Sequence, residues 1–233
     1  MLPVAILAGG LATRLRPITQ TIPKALIKVA GKYFIDHQLE YLSYQGITSV
    51  VLCIGYLGEM IKEFVGDGSR WNMQVSYSQD GPVLLGTGGA LKQALPLLGD
   101  NFFVLYGDSY LPIDYTKIEA YFKKYRKLGL MTIYHNNNKL DKSNVYFDNG
   151  QIIKYSKKQH IKEMQHIDYG LGILSSQILE GYPINQPFDL ALAYAELALQ
   201  KQLVGYEVYE RFYEIGSKSG ILDAEEYLLK KVF

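Results

Sequence analysis

The stretch Val4-Ala5-Ile6-Leu7-Ala8-Gly9-Gly10-Leu11-Ala12-Thr13-Arg14-Leu15-Arg16-Pro17, running on to Ile22-Pro23-Lys24, decides how this chain is read. Val4 to Leu7 is a short apolar run of the kind that forms a strand buried on both faces. The adjacent Gly9 and Gly10 let the backbone turn tightly and come close to a ligand. Arg14, Arg16, Lys24, Lys28 and Lys32 follow, and no acidic residue appears before Asp36. The formal net charge of the whole chain is only +1, so this one-sided cluster is a local feature. A strand, a glycine turn and a set of cations at a sheet edge make an anion site, most simply one for phosphates. Two common nucleotide signatures are absent: Ala12 breaks a G-x-G-x-x-G, and no G-x-x-x-x-G-K-[ST] occurs.

Working outward, residues 32–44 carry Phe34, Ile35, Leu39 and Leu42 at helical spacing. Residues 49–54 (S-V-V-L-C-I) are a buried strand, 58–64 a short helix closed by Gly66-Asp67-Gly68, and 73–77 a third strand. Strand, helix, strand, helix, strand with short connections predicts an α/β fold with a doubly wound, mostly parallel sheet and helices on both faces. Residues 80–89, D-G-P-V-L-L-G-T-G-G, form a second glycine-rich loop before a helix expected at 90–97. A fourth strand, 102–106, ends at Gly107-Asp108-Ser109, and ligands of open α/β sheets gather at the carboxyl ends of strands. Beyond it come a basic helix at 114–128, a strand at 130–134, and a polar loop at Asn136-Asn137-Asn138. A hairpin (144–147 and 152–155 across Asp148-Asn149-Gly150) follows. A glycine-broken strand at 167–174, an Ala/Leu-rich helix at 188–199, a strand at 207–215 and a helix at 217–230 complete the chain.

Composition sets the outer bounds. With 233 residues, 48% apolar and 20% charged, the chain suits one domain with a sizeable core. A pI near 7.7 argues against bulk binding to nucleic acid or anionic membrane. The lone Cys53, in an apolar run, excludes an intramolecular disulfide framework and fits a reducing cytosol. No apolar run approaches the length of a bilayer span, and Met1-Leu2-Pro3 leads straight into a strand without a leader, so a cytoplasmic protein is expected.

L-A-G-G-L-A-T-R-L-R-P…P-K resembles the signature of the sugar-1-phosphate nucleotidylyltransferases, usually G-G-x-G-T-R-L-x-P with a later Pro-Lys. Ala12 stands where the family has Gly. The resemblance covers essentially the whole chain as a single nucleotidyltransferase domain of the glycosyltransferase A-like, Rossmann-like type, with residues 140–180 contributing much of the sugar-phosphate side. It implies a nucleotide site formed by Leu7, Ala8, Gly9, Gly10, Thr13, Arg14, Lys24, Gln79, Gly86, Thr87 and Gly88. Gln79 is there the candidate base reader. It implies catalytic roles for Arg14, Lys24 and Asp108, and a Mg²⁺ held by Asp108 and Glu214. On the sugar-phosphate side it implies Lys157 or Lys158, with Asp168 and Gly170.

Two departures matter. Lys142-Ser143 replaces a Y-G pair common before the first hairpin strand, and Glu214 replaces the second metal-binding Asp. The longer Glu arm leaves normal Mg²⁺ binding, a preference for Mn²⁺ and a weakened site all open. The expected partners are an NTP and a sugar 1-phosphate, with no nucleic acid and no membrane. Within the family, L-G-T-G-G-A-L-K-Q-A-L-P-L-L most resembles guanylyltransferases for D-glycero-D-manno-heptose 1-phosphate, with uridylyltransferases for N-acetylmuramic acid 1-phosphate next. A non-catalytic sugar-nucleotide sensor is the reading from another class, and a dinucleotide oxidoreductase is disfavoured by the missing glycine fingerprint. No hexapeptide repeat or acyltransferase extension points to a second activity. Base, sugar and oligomeric state, a homo-oligomer included, stay open.

Overall fold

The computed structural model describes residues 1–136 and 141–230; Asn137 and Asn138 of the polar loop lie outside them. The elements, in chain order, begin with β1 (Val4–Leu7), a small hairpin of β2 (Lys28–Val29) and β3 (Lys32–Tyr33), α1 (Phe34–Tyr44), β4 (Ser49–Ile54) and α2 (Gly58–Val65). Then come β5 (Gln74–Gln79), α3 (Gly86–Leu98), β6 (Asn101–Tyr106), β7 (Ser109–Tyr110), α4 (Tyr115–Tyr125) and β8 (Gly129–His135). The chain continues through β9 (Val145–Asp148), β10 (Gln151–Tyr155), β11 (His166–Ser175), α5 (Gln177–Glu180), α6 (Ala191–Leu199), β12 (Leu203–Val208), β13 (Tyr213–Glu214) and α7 (Lys218–Lys230).

Nine strands form one sheet in the order β5-β4-β1-β6-β11-β8-β12-β10-β9. The first four run parallel; β11 then lies antiparallel between β6 and β8, β12 is parallel to β8, and the β9–β10 hairpin closes the edge. Alternation of side chains gives the central strands two buried faces, whereas the strands at the sheet's edges, β5, β9 and β10, are partly exposed. In β1, Val4 and Ile6 join the core under α1, α2, α4 and α7, while Ala5 joins the core under α3 and α6. In β4, Val50, Leu52 and Ile54 face the first core, and Val51 and Cys53 the second. Cys53 is thus a buried core thiol, pushed up to about 12 by desolvation and, secondarily, by Asp80.

Several expected boundaries move for physical reasons. α3 starts at Gly86, not at residue 90, so the glycines read as a loop are its first turn. Glycine is a poor helix former, and sequence reasoning ends helices there. Here the glycines admit another segment: a Cβ on Gly88 would lie 2.1 Å from the Phe188 ring. α4 ends at Tyr125, because Arg126 takes a left-handed conformation, φ 51°, and redirects the chain into β8. The strand expected at 207–215 is two elements, β12 in the main sheet and β13 in a separate ladder with β7. The helix expected from 188 starts at Ala191. His166 opens β11, stacks on His135 with ring centroids 4.9 Å apart, and hydrogen-bonds Glu207. Among the described residues no helix is long and apolar enough to cross a membrane.

Candidate functional site

β1 and β6 are neighbours at which the strand order reverses, the chain passing from β1 to β4 on one side and from β6 to β8 on the other, the position at which doubly wound sheets open a crevice. Their ends are drawn together by backbone contact. The Gly107 amide donates to Leu7 O at 3.0 Å, and the Ala8 amide to Cys53 O at 2.9 Å. A Cβ on Gly9 would lie 3.1 Å from the Gly55 nitrogen, so Gly9 serves this close approach of two strand ends. Ala12 adopts φ 48° and ψ 44°, in the left-handed region that favours glycine. It is held there by Thr19, whose hydroxyl donates to Ala12 O at 2.8 Å.

Two clefts open at this edge. The first is walled by residues 7–10, Ala12 and Lys24 on one side and by Asp80, Leu84, Gly86, Thr87 and Ala90 on the other. The second contains Arg14, Lys142, Tyr155, Lys157, Asp168, Gly170, Arg211 and Glu214. Tyr106 and Asp108 line both, so the clefts meet there. At that junction Lys24 Nζ lies 2.8 Å from Asp108 Oδ2, the two side chains only 19% and 25% exposed.

The β7–β13 ladder brings a second carboxylate to the junction. Ser109 pairs with Glu214, and the Ile215 amide donates to Asp108 O at 2.9 Å. Desolvation, and then repulsion from Asp108, raise the Glu214 carboxyl above its ordinary range, against the pull of Arg14 and Lys24. Gly216 leaves room for this grouping: a Cβ there would lie 3.3 Å from Arg14 Nη2 and 3.7 Å from Glu214 Oε1.

On the far wall of the second cleft, Lys157 Nζ lies 3.1 and 3.2 Å from the Asp189 oxygens. Asp189 Oδ1 also accepts the Thr87 hydroxyl at 3.1 Å and the Ala191 amide at 2.9 Å. Burial acts to raise the Asp189 carboxyl, but the Ala191 amide and Lys157 outweigh it and hold it low. Asp168 accepts the Gly170 amide at 3.0 Å and the Tyr155 hydroxyl at 3.4 Å, and burial pushes its carboxyl up. Gly170, at φ 101°, sits within the irregularity of the β8–β11 pairing that turns this segment into the cleft wall. The buried hydroxyls of Tyr106 and Tyr169 have no partner among the described residues.

The structure gathers Leu7, Ala8, Gly9, Gly10, Lys24, Gly86, Thr87 and Asp108 around the first cleft. It sets Arg14 in the second cleft, beside Glu214. Lys157, Asp168 and Gly170 share that second cleft, whereas Lys158 is exposed outside its lining. Three expected nucleotide-side residues stand apart. Thr13 and Gln79 are exposed and line neither cleft, and Gly88 is buried against residue 188, its amide donating to Phe188 O at 3.0 Å. Asp80, Tyr106, Asp189 and an Arg211–Asp223 ion pair are the residues sequence reasoning missed. Asp80 was adjacent to Gln79 within the same glycine-rich stretch, and Asp189 is an acid at the start of a helix; both carried only weak local signals. His160 lines the second cleft, its Nδ1 2.9 Å from Ser143 O.

Comparison with known proteins follows this geometry. The family model described as nucleotidyl transferase matches residues 4–229. The D-glycero-alpha-D-manno-heptose 1-phosphate guanylyltransferase of Campylobacter jejuni is 30% identical over 185 residues, covering 79% of this chain and 80% of that protein. The N-acetylmuramate alpha-1-phosphate uridylyltransferase of Neisseria meningitidis is 43% identical over 112 residues, 48% of each chain. The crystal structure of HddC from Yersinia pseudotuberculosis complexed with GMP-PN superposes with a TM-score of 0.82 at 27% identity. That match covers 98% of this chain and 100% of that one. The chain spans between 48% and 62% of the length of three of the curated relatives it matches.

Proposed function

Because the chain belongs to the nucleotidyl transferase family, we propose that it joins an NTP to a sugar 1-phosphate, giving an NDP-sugar and pyrophosphate. The observation that carries this reading is the Lys24–Asp108 pair at the junction of the two clefts. One cleft takes the nucleotide and the other the sugar phosphate, so the reacting groups meet beside Lys24.

A sugar-phosphate oxygen attacks the α-phosphorus in line, a new P–O bond forms, and the bond to the β-phosphate oxygen breaks with pyrophosphate leaving. The attacking oxygen is already ionised, so no general base is required. Positioning and charge neutralisation therefore supply the rate. Backbone amides of Gly9 and Gly10 hold the β- and γ-phosphates where these reach the junction, and the Arg14 guanidinium meets them there from the second cleft, with Thr13 at the loop's outer edge. Lys24 offsets charge at the α-phosphate. Lys157 leaves Asp189 to hold the sugar phosphate, while Asp168 and the Gly170 backbone orient the sugar.

Asp108 and Glu214 offer hard oxygen donors brought together across one ladder, and the repulsion that raises Glu214 is what a divalent cation relieves. Among the described residues no cluster of three or more His, Cys, Asp or Glu forms a closed metal site, which fits a site completed by substrate oxygens. The donor set thus fits Mg²⁺, with Mn²⁺ the alternative for the longer Glu arm; when bound, it would offset phosphate charge and polarise the reacting phosphate.

GTP with D-glycero-D-manno-heptose 1-phosphate is the first substrate pair, supported by the Campylobacter relative and the HddC likeness. The product would then serve surface polysaccharide synthesis in the cytoplasm. UTP with N-acetylmuramic acid 1-phosphate is the second, supported by the 43% identity over part of the chain. The test is pyrophosphate release with Mg²⁺ or Mn²⁺, crossing five NTPs with a panel of sugar 1-phosphates. Release that needs one NTP and one sugar phosphate together establishes the reaction. Nucleotide binding without release across the panel favours a regulatory sugar-nucleotide sensor.

A further inference from the structure

The inner face of α1 carries polar side chains at helical spacing, Gln38, Tyr41 and, just past the helix end, Gln45, and all three bind one segment of the chain. Tyr41 donates its hydroxyl to Ile113 O at 3.1 Å, and Gln45 Oε1 accepts the Tyr115 amide at 3.0 Å. Gln38, only 2% exposed, reaches the other end of that segment. Its Nε2 donates to Tyr106 O at 3.1 Å and to Ser109 O at 2.8 Å, one carbonyl on each side of Gly107-Asp108. Both partners are acceptors, so the amide nitrogen and not the oxygen must face them. Between these two bonds the Gly107 amide donates to Leu7 O and Asp108 O accepts the Ile215 amide. Each of the four residues from Tyr106 to Ser109 thus has a backbone group held from outside the turn.

The arrangement leaves Gln38 Oε1 buried with no hydrogen-bond partner among the described residues. An unpaired buried amide oxygen destabilises a fold. What the glutamine supplies in return, and no apolar side chain can, is a bond to both ends of the turn that carries Asp108. Resting on the reading of Asp108 and Glu214 as donors to a divalent cation, we propose that Gln38 is a positioning residue for the reaction. It fixes the turn so that the Asp108 carboxylate stands at the junction of the clefts, beside Lys24. Glu214 is placed by its ladder with Ser109, whose carbonyl Gln38 also holds, so one side chain sets the spacing of both carboxylates. A small cation with strict geometry depends on that spacing.

The test is calorimetric binding of GTP and of UTP, without sugar phosphate, in Mn²⁺ and in EDTA, to wild type, Gln38→Met and Gln45→Met. The ratio of the two affinities, for whichever nucleotide binds wild type more tightly, measures what the cation adds at the junction. Gln38→Met is expected to reduce that ratio by about tenfold and to leave the EDTA affinity within about twofold of wild type. Gln45→Met, which frees the Tyr115 amide alone, is expected to lower the melting temperature and leave the ratio unchanged. A wild-type ratio in Gln38→Met overturns the proposal, as does an equal loss in both variants, which would mark a general loosening of α1. Should Gln38→Met not fold, Gln38→Asn carries the same expectation, because its amide falls one methylene short of the two carbonyls. A wild type that binds nucleotide equally well in Mn²⁺ and in EDTA overturns the metal reading and the proposal with it. A ratio lost in Gln38→Met, without pyrophosphate release by wild type from any substrate pair, overturns only the transferase reading and leaves the role of Gln38 standing.

Discussion

Lys157 and Thr87 meet on one carboxylate: Asp189 Oδ1 lies 3.1 Å from the Lys157 ammonium and 3.1 Å from the Thr87 hydroxyl. Thr87 belongs to the first turn of α3 in the first cleft, and Lys157 to the wall of the second. The 186–190 segment, docked on the glycines of α3, is thus the physical link between the clefts. It also means that a phosphate arriving at Lys157 must compete with Asp189.

From this competition follows the effect of Asp189→Asn. The pair is 40% and 53% exposed, where such ion pairs are worth about 0–1 kcal/mol. The variant keeps an oxygen for Ala191 and Thr87 but weakens the hold on Lys157. The KM for the sugar 1-phosphate is expected to fall by up to about fivefold, with NTP affinity unchanged. A raised KM in steady-state kinetics would show that Asp189 places the lysine instead of competing for it.

Lys24→Ala removes the cation at the junction of the clefts. Turnover is expected to drop by about 10²- to 10³-fold, the usual cost of losing one group that stabilises developing phosphate charge. Circular dichroism should show the fold intact, because the side chain bridges the cleft and no core residue depends on it. Near-normal kcat would remove Lys24 from the mechanism.

Asp168 gives a dependence on pH. Burial raises its folded carboxyl above the unfolded value of about 3.9, so ionisation costs stability in the folded state. That cost is complete above the folded pKa and vanishes as pH falls below the unfolded one. Asp168→Asn should therefore melt at a higher temperature than wild type at pH 8, and the gap should close on acidification. Sugar 1-phosphate affinity should fall in the same variant. Melting curves at pH 8 and pH 4 that shift in parallel would count against a buried, ionised Asp168.

Gly88→Ala tests the docking of α3 on the 186–190 segment. The new methyl would fall 2.1 Å from Phe188, whose ring is stacked on Tyr182 with centroids 4.4 Å apart. Overpacking of this kind costs about 1–3 kcal/mol, or roughly 2–4 °C in melting temperature per kcal/mol for a chain of this size. Phe188→Leu in the same chain should recover part of the loss. An unchanged melting temperature for Gly88→Ala alone would mean that the segment packs less closely on α3.

The first half of the fold was legible because each of its signals is local. β-branched strands buried on two faces announce themselves as apolar runs, as in residues 49–54, and the strand-end glycines mark where the backbone turns. The basic run beginning at Arg14 and the Gly107-Asp108 pair after an apolar strand were local too. Where the reading slipped, a distant contact had overridden local preference. The three glycines of α3 are poor helix formers, yet only residues without a Cβ can admit the segment of Gln186 and Phe188. The strand expected at 207–215 divides because Glu214 is drawn to Ser109 across more than a hundred residues.

The sequence by itself determined the strand–helix alternation of the parallel half, the glycine turn, the cations that follow it, and the Asp108 carboxylate after an apolar strand. Their short-range patterns are properties of the chain's own hydrophobic period and backbone freedom. Only the tertiary structure decided that Asp80 and not Gln79 enters the first cleft and that Arg14 sits with Glu214. The same is true of Lys157, which lies in the second cleft while Lys158 does not. Those assignments depend on which face of a strand end or loop meets a partner brought from far along the chain, and sequence spacing carries no such information.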